Sequence, residues 1–172
     1  MAIFENSDFH NNLIIMGVLT TGLFSSNSEL WETPQKLFDC LDREFHFTLD
    51  PCATKESAKC ALFFTEKEDG LKQNWGGYNV FCNPPYGNKI SRWVKKCYEE
   101  SRKKNTIVVM LIPARTDTSY FHDYIYGKAE VRFIRRRLRF SDSKASAPFP
   151  SMVVVFGGKP MWSTRYDGKD FI

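Results

Sequence analysis

The sequence predicts an α/β fold with an open, mainly parallel sheet, and two patterns carry that prediction. Segments with strand character alternate with amphipathic helical segments along the chain, an order typical of a sheet whose strands are joined by helices. Residues 106–112 form a continuous apolar, β-branched run, as in a strand buried on both faces of a parallel sheet. The length of 172 residues, of which 42% are hydrophobic, suits one domain with a sizeable core.

The first half of the chain predicts one helix and two short strands. Thr33 and Pro34 resemble a helix start, with Thr33 as the N-cap and Pro34 at the first helical position. Apolar side chains then follow along one side of this helix: Leu37, Phe38, Leu41 and Phe45. Short strands are predicted over residues 47–50 and 61–64.

The second half predicts the remaining elements. A strand over Asn79–Cys82 runs into Asn-Pro-Pro-Tyr-Gly, and an amphipathic helix follows. The apolar positions of that helix are Ile90, Trp93, Val94, Cys97 and Tyr98. After the apolar strand we expect a helix near residues 118–126, an alternating run over residues 130–140 and a strand at Ser151–Phe156. Ligands bind such sheets at the carboxyl ends of the strands.

Charge and cysteine content narrow the function classes. Residues 29–75 carry a net charge of −4 and residues 88–140 a net charge of +9, so the second half is suited to face a polyanion. Five cysteines without C-x-x-C spacing and three scattered histidines predict neither a zinc site nor a disulfide framework. We therefore expect a reducing compartment, the cytosol, and no metal.

The N-terminal region differs from the remainder of the chain. Residues 13–24 are apolar but too short to span a bilayer, and they lack the basic flank of a signal peptide. We expect no membrane association. Residues 1–28 are predicted to be an N-terminal extension, with Met16 as an alternative start, and residues 29–172 to be a single domain.

The segment Asn83-Pro84-Pro85-Tyr86 lies at the end of a predicted strand and has two interpretations. It can be a rigid turn, because proline fixes φ and asparagine favours turns. It can also bind an exocyclic amine. The asparagine oxygen and the next carbonyl then accept the two amine hydrogens, which directs the nitrogen lone pair at an electrophilic methyl group. Tyr86 can stack on a base that has left the duplex.

Five motifs in order carry a family resemblance: W-E-T-P-x-x-L-F, F-T-L-D-P-C-A-T, N-P-P-Y-G, P-A-R-T-D-T and A-P-F-P-S. Together, over about residues 29–157, they resemble the small phage-type (Dam family) adenine-N6 DNA methyltransferases. The resemblance implies a compact, Rossmann-like methyltransferase fold that uses S-adenosylmethionine. It also implies a phage or prophage protein that acts in a bacterial cytoplasm and shields DNA from restriction.

The resemblance also implies a cofactor site. Asp50, Pro51, Cys52 and Ala53 form its floor, and Trp31, Thr33 and Pro34 close over it. An acidic residue after the second strand is expected to bind the ribose; we prefer Asp69 to Glu66 and Glu68. The chain departs from the general methyltransferase pattern because no Gly-x-Gly follows Asp50 and only 32 residues separate Asp50 from Asn83. Cys52 is expected to be a small packing residue and not a nucleophile.

Basic residues after the predicted turn form the expected DNA-binding face. If residues 130–140 are extended, Arg135, Arg137 and Arg139 share one side, opposite Arg136, Leu138 and Phe140. Guanidinium groups on one side suit phosphate contact or guanine recognition. Lys89 and Arg92 follow the turn, and Arg115 follows the buried strand; a pairing of Arg115 with Asp117 is the competing interpretation. The loop over residues 141–150 is expected to close over the target base.

Three functions are weighed. The first is methyl transfer from S-adenosylmethionine to adenine N6 in double-stranded DNA. The second is transfer to cytosine N4, which has similar chemistry. The third is a non-catalytic DNA-binding module with a decayed cofactor site. Since no separate recognition domain is evident, we expect a short target site. We also expect a monomer or weak dimer.

Overall fold

The computed structural model describes residues 31–140 and 146–171, with the backbone alone for Thr164 and Arg165. The predicted N-terminal extension and the alternative start at Met16 lie outside the described residues, as does the first half of the expected loop, residues 141–145. In the described part of the chain, no helix is long and apolar enough to cross a membrane.

Within the described residues, the regular structure consists of two α-helices and seven strands. In the first half these are α1 (Gln35–Phe45), β1 (Leu49–Asp50), β2 (Leu62–Phe63) and β3 (Asn79–Cys82). In the second half they are α2 (Ile90–Glu100), β4 (Ile107–Pro113), β5 (Glu130–Arg135), β6 (Ser151–Phe156) and β7 (Met161–Asp167). Short 3-10 turns at Gly70–Lys72 and Gly168–Phe171 and a π-helical turn at Phe121–Ile125 complete it.

The strands form one sheet in the order β2-β1-β3-β4-β6-β5-β7. The pairings from β2 through β4 are parallel, and so is that of β5 with β7, but β6 pairs antiparallel with both β4 and β5. The α/β class is thus confirmed, but the sheet is mixed, which corrects the mainly parallel sheet we expected. β5 and β6 are neighbours whose connection has no helix in its described part, and an antiparallel return needs no crossover helix.

The centre of the core is the pair β4 and β6. Every residue of β6 and all of β4 except Ile107 are buried, as the continuous apolar run in β4 predicted. In their antiparallel register, Pro113 at the end of β4 lies opposite Ser151 at the start of β6. The segment before β6 therefore reaches the same edge of the sheet as the turn that follows β3.

Two of the three predicted helices form as α-helices with the expected buried sides, whereas the helix expected near residues 118–126 is only the π-helical turn at Phe121–Ile125. Leu37, Phe38 and Leu41 of α1 are buried, as are Ile90 and Trp93 of α2. The predicted start of α1 is wrong in one respect. The helix begins at Gln35 with Pro34 as its N-cap residue and no side-chain cap, because the Thr33 hydroxyl is hydrogen-bonded elsewhere.

A buried arginine in β5 connects α1 to the part of the sheet formed by β5 and β7. Arg132 in β5 is almost fully buried and donates two hydrogen bonds to the Glu44 carboxylate, at 2.7 and 2.6 Å. It also contacts Glu130 and the Tyr166 hydroxyl, the latter at 2.8 Å. These charge-assisted bonds connect the end of α1 with β5 and β7.

Candidate active site

The Asn83–Tyr86 turn lies at the carboxyl end of β3, between its parallel neighbours β1 and β4. Asn83 and Pro85 are half-buried, whereas Pro84 and Tyr86 are buried. Two consecutive prolines restrict the backbone here. The turn therefore presents a rigid set of polar atoms at the edge where α/β sheets bind ligands.

The side-chain amide of Asn83 has a partner on each side. Its Nδ2 donates to the Trp31 carbonyl and, at 2.9 Å, to Thr33 Oγ1. Its Oδ1 accepts from the Tyr86 hydroxyl at 2.8 Å. Because a carbonyl only accepts hydrogen bonds, the Trp31 contact fixes which end of the amide is NH₂. Oδ1 has two lone pairs, so it keeps capacity for one further donor.

Tyr86 belongs to a cluster of four aromatic rings beside the turn, which we name the aromatic cluster: Trp31, Tyr86, Phe140 and Phe149. The Tyr86 ring meets Phe149 edge-on at 5.6 Å between centroids, and Trp31 lies 5.2 Å from both phenylalanines. Burial raises the pKa of Tyr86 well above its ordinary value. The phenol therefore stays protonated and donates to Asn83.

Sequence reasoning identified the loop over residues 141–150 but missed Phe140 and Phe149 as site residues. They stand on either side of a stretch rich in serine, alanine and proline. The available signal was this placement of two aromatic residues at the ends of a polar loop. Folding brings both onto Tyr86 because β6 begins at the edge of the sheet where β3 ends.

The segment after β1, from Asp50 to Lys59, contains the residues expected at the cofactor site, and we name it the cofactor loop. It begins at Asp50, the last residue of β1. Asp50 is buried, and its two carboxylate oxygens accept from the backbone N–H groups of Cys52, at 3.3 Å, and Lys59, at 3.2 Å. Burial raises the Asp50 pKa to about 6, although the two backbone hydrogen bonds oppose the shift. The Asp50 carboxylate thus holds the backbone of the loop in place through hydrogen bonds to both ends of it.

Close packing fixes the remainder of the loop. A Cβ atom on Gly70 would lie 1.9 Å from the Pro51 carbonyl oxygen, so only glycine fits there. Cys52 Sγ lies 3.7 Å from Cys82 Sγ, next to Asn83 in the chain. Burial raises the pKa of both thiols, which favours a packing role for Cys52 over a nucleophilic one.

The segment before α1 connects this loop with Asn83. Thr33 and Pro34 are buried and Trp31 is half-buried. Lys59 Nζ, from the end of the cofactor loop, donates to Gln35 Oε1 at 3.0 Å and lies 3.6 Å from a Glu32 carboxylate oxygen. Trp31 and Thr33 are thus held between the cofactor loop and the asparagine.

The acidic residues after β2 are engaged locally. Glu68 accepts from the Thr65 backbone N–H at 2.8 Å and from its hydroxyl at 2.9 Å. Asp69 is ion-paired with Lys72 at 3.0 Å and has a left-handed backbone with φ of 51°. Glu66 is exposed. Of the three, Asp69 stands immediately before Gly70, which packs on the Pro51 carbonyl.

The basic residues expected on the DNA face are all exposed: Lys89, Arg92, Arg115, Arg135, Arg137 and Arg139. The extended run predicted over residues 130–140 is wrong beyond Arg135, where β5 ends. Arg136 adopts φ of 67° and is exposed, 3.7 Å from Asp167, so it does not share a buried side with Leu138 and Phe140. Arg137 and Arg139 alternate with those two buried residues, and Arg135 is set apart by the turn at Arg136.

Among the described residues, no group of three or more histidine, cysteine, aspartate or glutamate side chains could hold a metal ion. The Thr118 hydroxyl donates to the Arg115 carbonyl at 2.9 Å, which supports the turn after β4.

Fold and site define an α/β protein with a candidate active site at the carboxyl ends of its central strands. The family model described as DNA N-6-adenine-methyltransferase (Dam) matches residues 20–157. The chain therefore belongs to the DNA N-6-adenine-methyltransferase (Dam) family, which confirms the resemblance carried by its motifs.

Two relatives bear the name DNA N-6-adenine-methyltransferase. The protein from Haemophilus phage HP1 (strain HP1c1) is 29% identical over 142 residues, which cover 78% of this chain and 82% of the relative. The protein from Escherichia phage T1 is 32% identical over 112 residues, which cover 64% of this chain and 46% of the relative. The match to the T1 protein thus spans just under half of that protein.

Proposed function

We propose that this protein transfers a methyl group from S-adenosylmethionine to N6 of adenine in double-stranded DNA. The observation that carries the proposal is the oriented Asn83 amide. Its NH₂ group is occupied by Trp31 and Thr33, and its oxygen keeps one free lone pair. Membership of the Dam family and the names of the two phage relatives support the same reaction.

The amine-binding chemistry follows from the rigid turn. The free lone pair of Asn83 Oδ1 and the Pro84 carbonyl accept the two hydrogens of the adenine amine. This favours a pyramidal nitrogen with its lone pair available for attack. Pro84 has no N–H that competes for these acceptors. The proton released after transfer goes to solvent, because an amide is not a base and Tyr86 stays protonated.

The residues around Asn83 also fit S-adenosylmethionine. The indole N–H of Trp31 is buried and has no hydrogen-bond partner among the described residues. A buried donor without a partner is costly, so a polar ligand atom is the natural acceptor. Trp31, Pro34, residues 50–53 and the backbone of Thr33, whose hydroxyl is engaged by Asn83, would hold the cofactor. Asp69 would hold its ribose once Lys72 releases the carboxylate. When bound, the cofactor supplies an electrophilic methyl group.

The aromatic cluster provides the surface for a flipped base. Tyr86 and Phe140 are buried but Phe149 is only half-buried, so a base that leaves the duplex meets Phe149 first. Stacking on Tyr86 requires the Phe149 ring to move aside or to form the opposite wall. Base–aromatic stacking contributes about 1–3 kcal/mol per base, enough to offset part of the unstacking cost.

The exposed basic residues complete the proposal. Lys89 and Arg92 follow the amine-binding turn, and Arg115 follows β4. We therefore expect these three residues to contact the DNA strand that carries the flipped base. Arg135 at the end of β5, and Arg137 and Arg139 beyond it, are also exposed and would add to the positive DNA-binding surface. Guanidinium groups contact phosphates and guanine edges with the same planar geometry.

The proposal also covers the extent of the domain, the oligomeric state and the biological role. Residues 29–172 form the catalytic domain, with the mixed sheet as a compact variant of the methyltransferase fold. The protein acts as a monomer or weak dimer in the cytoplasm of a bacterial host, and its product protects DNA from restriction.

The decisive experiment is transfer of labelled methyl from S-adenosylmethionine to unmethylated double-stranded DNA, followed by nucleoside analysis. Label in N6-methyladenine is the expected result. Label in N4-methylcytosine would keep the mechanism and replace the substrate. Absence of label from a preparation that still binds DNA would refute the enzyme and favour a binding module.

A further inference from the structure

Thr33 is almost fully buried, and its hydroxyl has no capping role. Pro34 is the N-cap residue of α1, and no side chain caps the helix start. Instead, Thr33 Oγ1 lies 2.9 Å from Nδ2 of Asn83, fifty positions along the chain. A buried hydroxyl placed against this amide calls for an explanation beyond helix capping.

The orientation of Asn83 matters because the two ends of an amide are similar in shape and opposite in chemistry. A half-turn about the bond to the carboxamide would direct NH₂ at the adenine amine, where donor meets donor. In that orientation Oδ1 would face the Trp31 carbonyl, so acceptor would also meet acceptor. The Thr33 oxygen and the Trp31 carbonyl accept on one side, and the Tyr86 hydroxyl donates on the other.

We propose that Thr33 is a positioning residue, which holds the Asn83 amide with its oxygen directed at the substrate amine. This inference rests on the proposed function, in which Asn83 accepts a hydrogen of that amine. Thr33 acts through Asn83, so its hydroxyl contributes to the rate of transfer more than to the affinity for either substrate.

The position of Thr33 also connects the two halves of the reaction. Its segment is tied to the cofactor loop through Lys59, which donates to Gln35 at 3.0 Å and lies near Glu32. The backbone N–H of the same lysine donates to Asp50 at 3.2 Å. Through Lys59, the segment that supplies both acceptors of the Asn83 amide is thus hydrogen-bonded to the residues expected to hold the cofactor.

The test compares Thr33→Val, which keeps the shape and removes the acceptor, with Thr33→Ser, which keeps the hydroxyl. A lost buried hydrogen bond of this kind predicts a fall in kcat of about 10- to 100-fold for Thr33→Val. Thr33→Ser should retain most of the rate. Equilibrium affinity for S-adenosylmethionine and for DNA should change little in both variants. Thr48→Val is the control for loss of a hydroxyl, since it removes a hydrogen-bonded hydroxyl immediately before β1.

Three results would overturn the inference. One is wild-type kcat in Thr33→Val. Another is a parallel loss of cofactor affinity, which would make the hydroxyl a cofactor ligand. If Thr33→Val does not fold, the wild-type protein decides by NMR: both side-chain amide protons of Asn83 should be protected from solvent exchange, and rapid exchange would overturn the proposal. No methyl transfer by the wild type is a different result and refutes the proposed function.

Discussion

The Tyr86 hydroxyl lies 2.8 Å from Oδ1 of Asn83, so the last residue of the Asn-Pro-Pro-Tyr turn holds the first in place. The Tyr86 hydroxyl oxygen also lies 3.3 Å from the Leu111 carbonyl oxygen in β4. The tyrosine thus has two separable functions. Its hydroxyl orients the amide, and its ring packs against Phe149.

Substitution of Tyr86 by phenylalanine separates these functions. The ring remains and the donor is lost, so we expect kcat to fall by about three- to tenfold, as for one hydrogen bond of ordinary strength. Tyr86→Ala removes the ring as well and should cost more. Steady-state kinetics give the comparison, with Tyr98→Phe as the control, because the Tyr98 hydroxyl accepts from Arg102 at the far end of α2. Full activity in Tyr86→Phe would show that the hydroxyl is dispensable.

Asn83→Ala should abolish methyl transfer. The reason is loss of the oxygen that accepts the amine hydrogen, an effect of about 100-fold or more in kcat for an oriented acceptor in an active site. Cofactor affinity, measured by calorimetry, should stay within about threefold because no cofactor contact is assigned to this side chain. Asn74→Ala is the control, since Asn74 contacts Lys103 away from the turn. Loss of cofactor binding in step with activity would contradict the assigned role.

Simultaneous replacement of Arg135 and Arg137 by alanine should weaken DNA binding and reduce its salt dependence. Each phosphate contact contributes about 0.9 to the slope of log K against log salt, so the magnitude of the slope should fall by about 1.8. Fluorescence anisotropy over a salt series measures it. Arg102→Ala with Lys104→Ala removes the same charge near the end of α2 and should leave the slope unchanged. An equal change in both double variants would place the DNA face elsewhere.

Asp50 should titrate near pH 6, and its titration should be visible in stability. Burial raises the pKa of its carboxyl from 3.8 to about 6, so between these values the native state holds the proton more tightly than the unfolded chain. Stability from this group is therefore present at low pH and is lost as the pH rises through 6. Relative to Asp50→Asn, the wild type should lose up to about 3 kcal/mol between pH 4 and pH 7.

Denaturant unfolding of both proteins across that range measures the Asp50 effect, and the carboxyl carbon resonance of Asp50 gives the midpoint directly. A midpoint near 4 would mean that the two backbone hydrogen bonds outweigh burial. The comparison with asparagine cancels the other titrating groups, which are common to both proteins.

The elements that sequence predicted well are those whose signal is local. The apolar run of β4 and the helical spacing of apolar residues after Tyr86 can be recognised without knowing which segments they pack against. The position of Asn83 at the end of a strand was predicted from the same local patterns. Thr33 shows why other features escaped. Its sequence context is that of a helix N-cap. Only in the folded protein does the end of β3 lie beside it, so that Asn83 becomes the hydrogen-bond partner of its hydroxyl.

Long-range pairing explains the remaining differences. The direction of β6 depends on which strands flank it, a property that no local pattern in Ser151–Phe156 contains. β5 ends at Arg135, and the next residue, Arg136, turns the backbone with φ of 67°. This turn lies inside a run whose apolar and charged residues otherwise alternate. Nothing in the sequence around Arg132 marks it as a buried residue, yet folding places Glu44 and Tyr166 around it. Each case is decided by contacts across many residues.

The reversed strand β6 has a consequence for how such a protein can change its target. In a sheet of parallel strands, only the segments that follow strands reach the catalytic edge, and those segments also begin the helices that cover the sheet. β6 brings a segment that precedes a strand to that edge, and this segment carries Phe149. Under the proposed mechanism, exchange of this segment between relatives would alter the side of the site that meets the base, while every strand-to-helix connection, and the cofactor loop with it, is left intact.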